Sequence, residues 1–186
     1  MSRVSISSVL LAGLAATFLS LPGAAQERQR SNVPDQYKWN LADIYPSTDA
    51  WRASVQEVTA DIPKLKAFEG KLGSSASGLA DALTSLFELD KDLSRVYAYA
   101  SMTADEDTRN QMSEGMRQQM VQLAASFSAA AAYVEPEILR FEAGKVEKFL
   151  AAQPRLAPYR FYLEDIARRA PAWPFTSARS TVRCIQ

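Results

Sequence analysis

Histidine, the commonest general base and metal ligand, is absent from all 186 residues. Every Ser-His, Cys-His and His-carboxylate pairing is thereby removed from the chemistry this chain can perform. The single cysteine, Cys184, can close neither an intramolecular disulfide nor a thiolate zinc site. A serine activated by lysine needs a Ser-x-x-Lys turn, and no lysine here has serine three residues before it. Asp105, Glu106 and Asp107 offer oxygen ligands to a hard cation, but no further acids or turn glycine complete a loop of the EF-hand kind. Negative charge at a helix N-terminus accounts for that cluster more simply. Asp90 and Asp92, two apart, diverge on a helix and suit a solvated face better than paired acid and base work. Gly70-Lys71-Leu72-Gly73 superficially looks like a phosphate loop but lacks the glycine spacing, the Lys-Ser/Thr pair and the preceding strand.

Two further groups have both a binding and a packing interpretation. Tyr159, Phe161 and Tyr162 with Arg160, Arg168 and Arg169 are the types that hold a peptide carboxylate or stack on nucleic acid. Glu164 and Asp165 beside them favour a set of ion pairs on a helix surface. Met112, Met116 and Met120 form a flexible apolar stripe, suited to a helix-binding groove but more simply to a core. Lysine and arginine total 21 against 21 acids, so no basic field exists to hold nucleic acid or anionic lipid. From the residues alone, no catalytic, metal-ligating or substrate-binding side chain is assigned.

The elements that must carry these groups read as helices in series. Residues 1–25 hold one base, Arg3, and no acid, ahead of an apolar run Val9–Leu21 that ends in Pro22-Gly23-Ala24-Ala25. That is the pattern of a signal peptide cleaved after Ala25, shorter than the roughly 20 apolar residues of a membrane span. Its loss removes only Arg3 and leaves a net charge of −1. The expected location is periplasmic or secreted, with no stable membrane span after cleavage. Residues 26–36 are polar and expected to be a flexible leader. From Ser47, a good N-cap, the residues Trp51, Val55, Val58, Ile62, Leu65 and Phe68 recur at helical spacing, with Pro63 set to kink or divide the helix. A second helix is expected from about Ser77 to Thr103 along Leu79, Leu83, Leu86, Phe87, Leu93, Val96, Tyr97 and Ala100. A third follows the acidic cluster to about Tyr133, carrying Met112, Met116, Met120, Leu123, Phe127 and Ala131 and reaching toward Val134. Two shorter helices fit 146–152 and 158–168, after Gly144 and the breakers Pro154 and Pro158. Nothing alternates with a β-branched bias, and Asn-Gly and Asp-Gly are missing. The expected architecture is all-α, an antiparallel bundle or array of about five helices.

Five landmarks in order rise above this generic pattern. They are Trp39-Asn40-Leu41-Ala42-Asp43-Ile44-Tyr45 with Trp51; Phe68-Glu69-Gly70-Lys71-Leu72; Tyr97-Ala98-Tyr99 before Asp105; Glu135-Pro136-Glu137-Ile138; and Tyr159-Arg160-Phe161-Tyr162-Leu163-Glu164-Asp165-Ile166. Over residues 37–169 this order resembles the N-terminal region of oligoendopeptidase F, a family of thimet-type zinc metallopeptidases. The resemblance implies a helical enzyme that cuts oligopeptides in a deep cleft, with zinc held by His-Glu-x-x-His and a downstream glutamate. None of those ligands can be carried onto a chain without histidine. The matching part would be the helical lobe that packs against the catalytic domain and forms one wall of the peptide channel.

Two departures from the family accompany the match. The family is best known from the cytoplasm, whereas residues 1–25 have the export pattern. After Arg168-Arg169-Ala170-Pro171 the chain continues Ala172-Trp173-Pro174-Phe175 without acids or helical period, so residues 170–186 are expected to be a non-family tail, as after a change of frame. The expectation is an N-terminal lobe of an exported oligopeptidase, inactive alone. It needs no cofactor of its own, since the zinc belongs to the catalytic domain, and it meets oligopeptides when joined to that domain. The alternative is a stand-alone periplasmic helical module that binds peptides or a protein.

Overall fold

A computed structural model describes residues 32–169. The expected signal peptide, most of the leader, the tail 170–186 and Cys184 lie outside the described residues. The chain divides into two units, residues 1–38 and 39–186. In the first, a 3-10 turn at Asp35–Tyr37 is braced by Lys38 Nζ, 2.9 Å from Asp35 Oδ1. The elements described below belong to the second.

Helix α1, Thr48–Asp61, starts where the sequence places it, because the Ser47 hydroxyl accepts the Ala50 N–H at 3.2 Å. Pro63 then acts as a divider. It has no N–H to give to an α-helical turn, and the chain tightens into the 3-10 segment Ile62–Phe68. Helix α2 spans Ala76–Glu106, and its cap is Ser75, whose hydroxyl accepts the Gly78 N–H at 3.0 Å. At 31 residues it is the longest element described.

The third helix follows the acidic cluster as expected, but the cluster does not lie at its N-terminus, which corrects the role expected of those acids. Asp105 and Glu106 are the last residues of α2, and Asp107 lies just beyond it in extended backbone. The Asp107 carboxylate accepts both the N–H (3.0 Å) and the Nε–H (2.9 Å) of Arg109, which turns the chain. Asn110 is then the cap of α3, Gln111–Ala131, accepting from the N–H groups of Met112 at 3.0 Å and Ser113 at 3.3 Å. An amide cap with two donors in reach fixes the helix start more strongly than acids several residues upstream. Two acids at the C-terminal end of α2 oppose its dipole. Arg117 of α3 lies 3.4 Å from Asp105 and offsets part of that.

Helix α3 stops at Ala131, and a separate six-residue helix α4, Val134–Leu139, follows. Helix α5, Lys145–Ala152, starts from Gly144 at φ +81°. A 3-10 segment Pro154–Tyr159 leads into α6, Arg160–Arg169. Among the described residues there are no strands, so the all-α expectation holds, with five helices of eight residues or more plus α4. No described helix is long and apolar enough to cross a membrane.

Helices α2 and α3 run antiparallel. Asp105 near the end of α2 meets Arg117 early in α3, while Leu86 and Phe87 share a cavity with Ala131 and Ala132 at the far end. One core joins α1, Ile62 and Leu65, the second half of α2, and α3, around Trp51, Leu93, Val96, Tyr99 and Met120. The other joins the first half of α2 with α4, α5 and α6, around Leu79, Leu83, Ile138, Leu156, Leu163 and Ile166. Trp51 is 1% exposed, and its indole N–H donates to the Val96 carbonyl at 2.9 Å. Its ring stacks on Tyr99 at 6.2 Å, and Tyr45 meets Tyr99 edge-on at 5.5 Å. Replacing Trp51 by Phe removes a buried hydrogen bond and part of the indole surface, and should cost about 2 kcal/mol. Urea unfolding followed by helical circular dichroism checks this, and an unchanged midpoint would contradict it.

Candidate functional site

The concave surface lies where α2 and α3 part. At one end a cavity of about 460 Å³ is walled by Leu86, Phe87, Phe127, Ala131, Val134 and Tyr162. Beside it a second of about 370 Å³ is walled by Leu93, Tyr97, Ala98 and Ala124. Asp90, Phe127 and Ser128 line both, so the two form one groove with an apolar floor and an acid at its lip. Such a surface suits an apolar segment laid along it.

The second core sets the closed end of this groove. Phe87 of α2 stacks on Tyr159 at 5.1 Å and meets Tyr162 edge-on at 5.2 Å, which fastens α6 to the spine. Glu135 of α4 reaches Arg169 at 3.2 Å, and Arg169 also pairs with Asp165 at 3.2 Å. Burial, with the nearby Glu135 carboxylate, pushes the Tyr162 hydroxyl up to about 12, partly countered by Arg169.

The aromatic and basic set of α6 is therefore split between two tasks. Tyr159 and Tyr162 pack inward, whereas Phe161 is 76% exposed. The arginines form the expected surface pairs, Arg160 with Glu164 at 3.1 Å and Arg168 with Asp165 at 3.1 Å. The methionine stripe is also divided. Met116 and Met120 are buried in the core, but Met112, in the first turn beside the Asn110 cap, is 69% exposed. Asp90 reaches the groove while Asp92 is exposed elsewhere on the helix, so the two carboxylates do not converge.

Sequence reasoning missed the role of Glu137. Its carboxylate accepts the Gly70 N–H at 2.9 Å on one oxygen and the Leu72 N–H at 2.7 Å on the other. The glycine segment that looks like a phosphate loop thus binds an anion supplied by the chain itself. Tyr133, four residues earlier, donates its hydroxyl to the Leu65 carbonyl at 2.6 Å, so α4 is tied twice to the segment between α1 and α2. The only sequence signal was that Glu69-Gly70-Lys71-Leu72 and Glu135-Pro136-Glu137 both stood among the ordered landmarks. Among the described residues no group of three or more His, Cys, Asp or Glu converges as a metal site. The donor set does not fit zinc, and no step through a metal is derived for these residues.

Because Tyr162 is held neutral above its ordinary value of 10.0, its contribution to stability is fully present below pH 10 and is lost as pH rises toward 12. Tyr162→Phe should flatten that alkaline loss relative to the unsubstituted chain. Urea midpoints measured at intervals between pH 9 and 12 check this, and parallel curves for the two proteins would contradict it.

Comparison with known proteins places this geometry. A family model described as Oligopeptidase F matches residues 137–173, running past the end of α6. Oligopeptidase PepF of Bacillus subtilis is 35% identical over 153 residues, covering 79% of this chain and 23% of that protein. Group B oligopeptidase PepB of Streptococcus agalactiae is 30% identical over 142 residues, covering 76% of this chain and 24% of that protein. A solved chain from Chlamydophila abortus, described as a peptidase, superposes with a TM-score of 0.69 at 29% identity over 78% of this chain and 24% of that one. Oligoendopeptidase-F of Enterococcus faecium shares the fold, with a TM-score of 0.62 at 22% identity over 67% of this chain and 24% of that one. The chain spans about a quarter of the length of these relatives. In sequence and in fold, it belongs to the N-terminal region of the oligoendopeptidase F family.

Proposed function

We propose that this chain is the N-terminal helical lobe of an exported, zinc-dependent oligopeptide-cleaving metalloendopeptidase, and that it is inactive by itself. The observation that carries the reading is the match to oligopeptidases along 79% of the chain, at matching fold, with five landmark motifs in order. The absence of histidine supports the inactivity, since the lobe brings none of the ligands of a His-Glu-x-x-His site. The groove between α2 and α3 supports a role as a wall. It offers a long apolar floor to whatever segment lies against it, whether the remaining polypeptide or a bound oligopeptide.

The test has two arms. The DNA from the codon for Ala170 through that for Gln186 and onward is read in all three frames, far enough to encode the remaining three quarters of a relative's length. A frame that resumes a Glu- and Leu-rich helix after Pro171 and later reaches His-Glu-x-x-His is the expected result. The 186-residue chain is also incubated with zinc and an internally quenched oligopeptide, and no hydrolysis is expected. Zinc-dependent cleavage by the purified chain, or the lack of any such frame, would overturn the reading.

Export rests on the apolar run Val9–Leu21 and the small residues Gly23 and Ala25. Expressed in a Gram-negative host, the protein should be recovered from the periplasm with Gln26 as its first residue, as intact mass and N-terminal sequencing will show. A cytoplasmic product that retains residues 1–25 would refute export while leaving the peptidase assignment untouched.

A further inference from the structure

We propose that the turn Phe68–Leu72 is a carboxylate-binding site which the chain occupies itself, Glu137 filling in cis a place that a small free carboxylate can fill in trans. The inference is independent of the peptidase reading. The Lys71 N–H closes on the Phe68 carbonyl at 3.0 Å, Glu69 has φ −58° and ψ 132°, and Gly70 has φ +76°. This is a type II turn, whose third position needs the positive φ that glycine tolerates without strain. With the Lys71 N–H used inside the turn, the N–H groups on either side of it, from Gly70 and Leu72, are left to serve an external acceptor. Each meets a different oxygen of Glu137, at 2.9 and 2.7 Å. One donor per oxygen is the bidentate, charge-assisted arrangement that selects a carboxylate.

The receptor is made of backbone, so removing the Glu137 side chain leaves it built. Beside it is a cavity of about 530 Å³, lined by Glu69, Gly70, Tyr133, Pro136, Glu137 and Arg140. A two-carbon acid therefore has room to enter when Glu137 is shortened. The Arg140 cation is favourable to such a guest and the Glu69 carboxylate is unfavourable, so recognition rests on the two N–H groups. In the unsubstituted chain the tethered carboxylate wins because its effective concentration far exceeds that of a dissolved one.

The experiment uses the whole 186-residue chain carrying Glu137→Ala, with sodium acetate as probe and sodium chloride at equal ionic strength as control. Backbone amide resonances are followed by two-dimensional NMR. The Gly70 and Leu72 amides of the variant should shift saturably with acetate and not with chloride, while those of the unsubstituted chain stay in place. Amides that ignore acetate, or that respond equally to chloride, overturn the proposal. So does an unsubstituted chain that shifts as far as the variant. If Glu137→Ala unfolds the chain, acetate should restore its helical circular dichroism beyond the effect of chloride and beyond any acetate effect on the unsubstituted chain. Equal recovery in the two salts again overturns it. Glu137→Gln keeps one acceptor oxygen and replaces the other by an amide NH2 that cannot accept, so at least one of the Gly70 and Leu72 amide protons should move upfield; unchanged positions of both would contradict the carboxylate assignment.

Discussion

One helix has to serve two cores. Helix α2 gives Leu79, Ala80, Ala82 and Leu83 to one cluster and Leu89, Leu93, Val96, Tyr99 and Ala100 to the other. Its first half must therefore present an apolar face to α4, α5 and α6, and its second half to α1 and α3. A helix of 31 residues can do this because its apolar stripe rotates slowly about the axis over several turns. The consequence is that α1, α3 and α5 are positioned by where they meet α2, while α4 is held by the 65–72 segment and by α6. Trp51 sets the crossing of α1 through the Val96 carbonyl, and Phe87 sets α6 through Tyr159 and Tyr162.

The motifs that carry the family resemblance turn out to be joints between elements. The segment around Tyr45 and Trp51 meets the Tyr97-Ala98-Tyr99 segment through Tyr99, and Arg95 covers the Tyr45 ring at 4.8 Å while donating to the Ile44 carbonyl at 2.8 Å. The Gly70 turn meets Glu137, and the Tyr159–Ile166 segment meets Phe87. Each joint depends on a shape or a hydrogen bond that few residue types can replace, whereas an aliphatic core position accepts several. That difference explains how a series of helices carries a recognisable signature.

The surface contributes less. Most ion pairs, such as Arg52 with Asp49 and Lys91 with Glu88, join residues one turn apart on exposed helix faces, where solvent screens them and each adds little. The pairs that link different elements are Arg117 with Asp105, Arg155 with Asp81 and Arg169 with Glu135, and Glu135 also lines one end of the groove.

Local patterns were legible wherever the physics is local. The Ser47 cap, the division at Pro63, the Met116 and Met120 core positions and the α6 ion pairs follow from spacing and residue type within a few turns. A run of acids marks a helix end less specifically than the side-chain geometry of Asn110, so only the fold decides that Asp105 and Glu106 end α2 rather than introduce α3. Leu89 and Tyr99 were left out of the expected core, since which flank of a long stripe is buried depends on the neighbours that arrive. The sequence by itself determined an all-helical chain, its punctuation, and the absence of histidine chemistry. Tertiary structure alone decided that α4 stands apart from α3, that a groove opens along α2, and that Glu137 closes on Gly70 and Leu72. Those contacts join residues 65 and 67 positions apart, and no periodicity along the chain encodes which distant donor a carboxylate will meet.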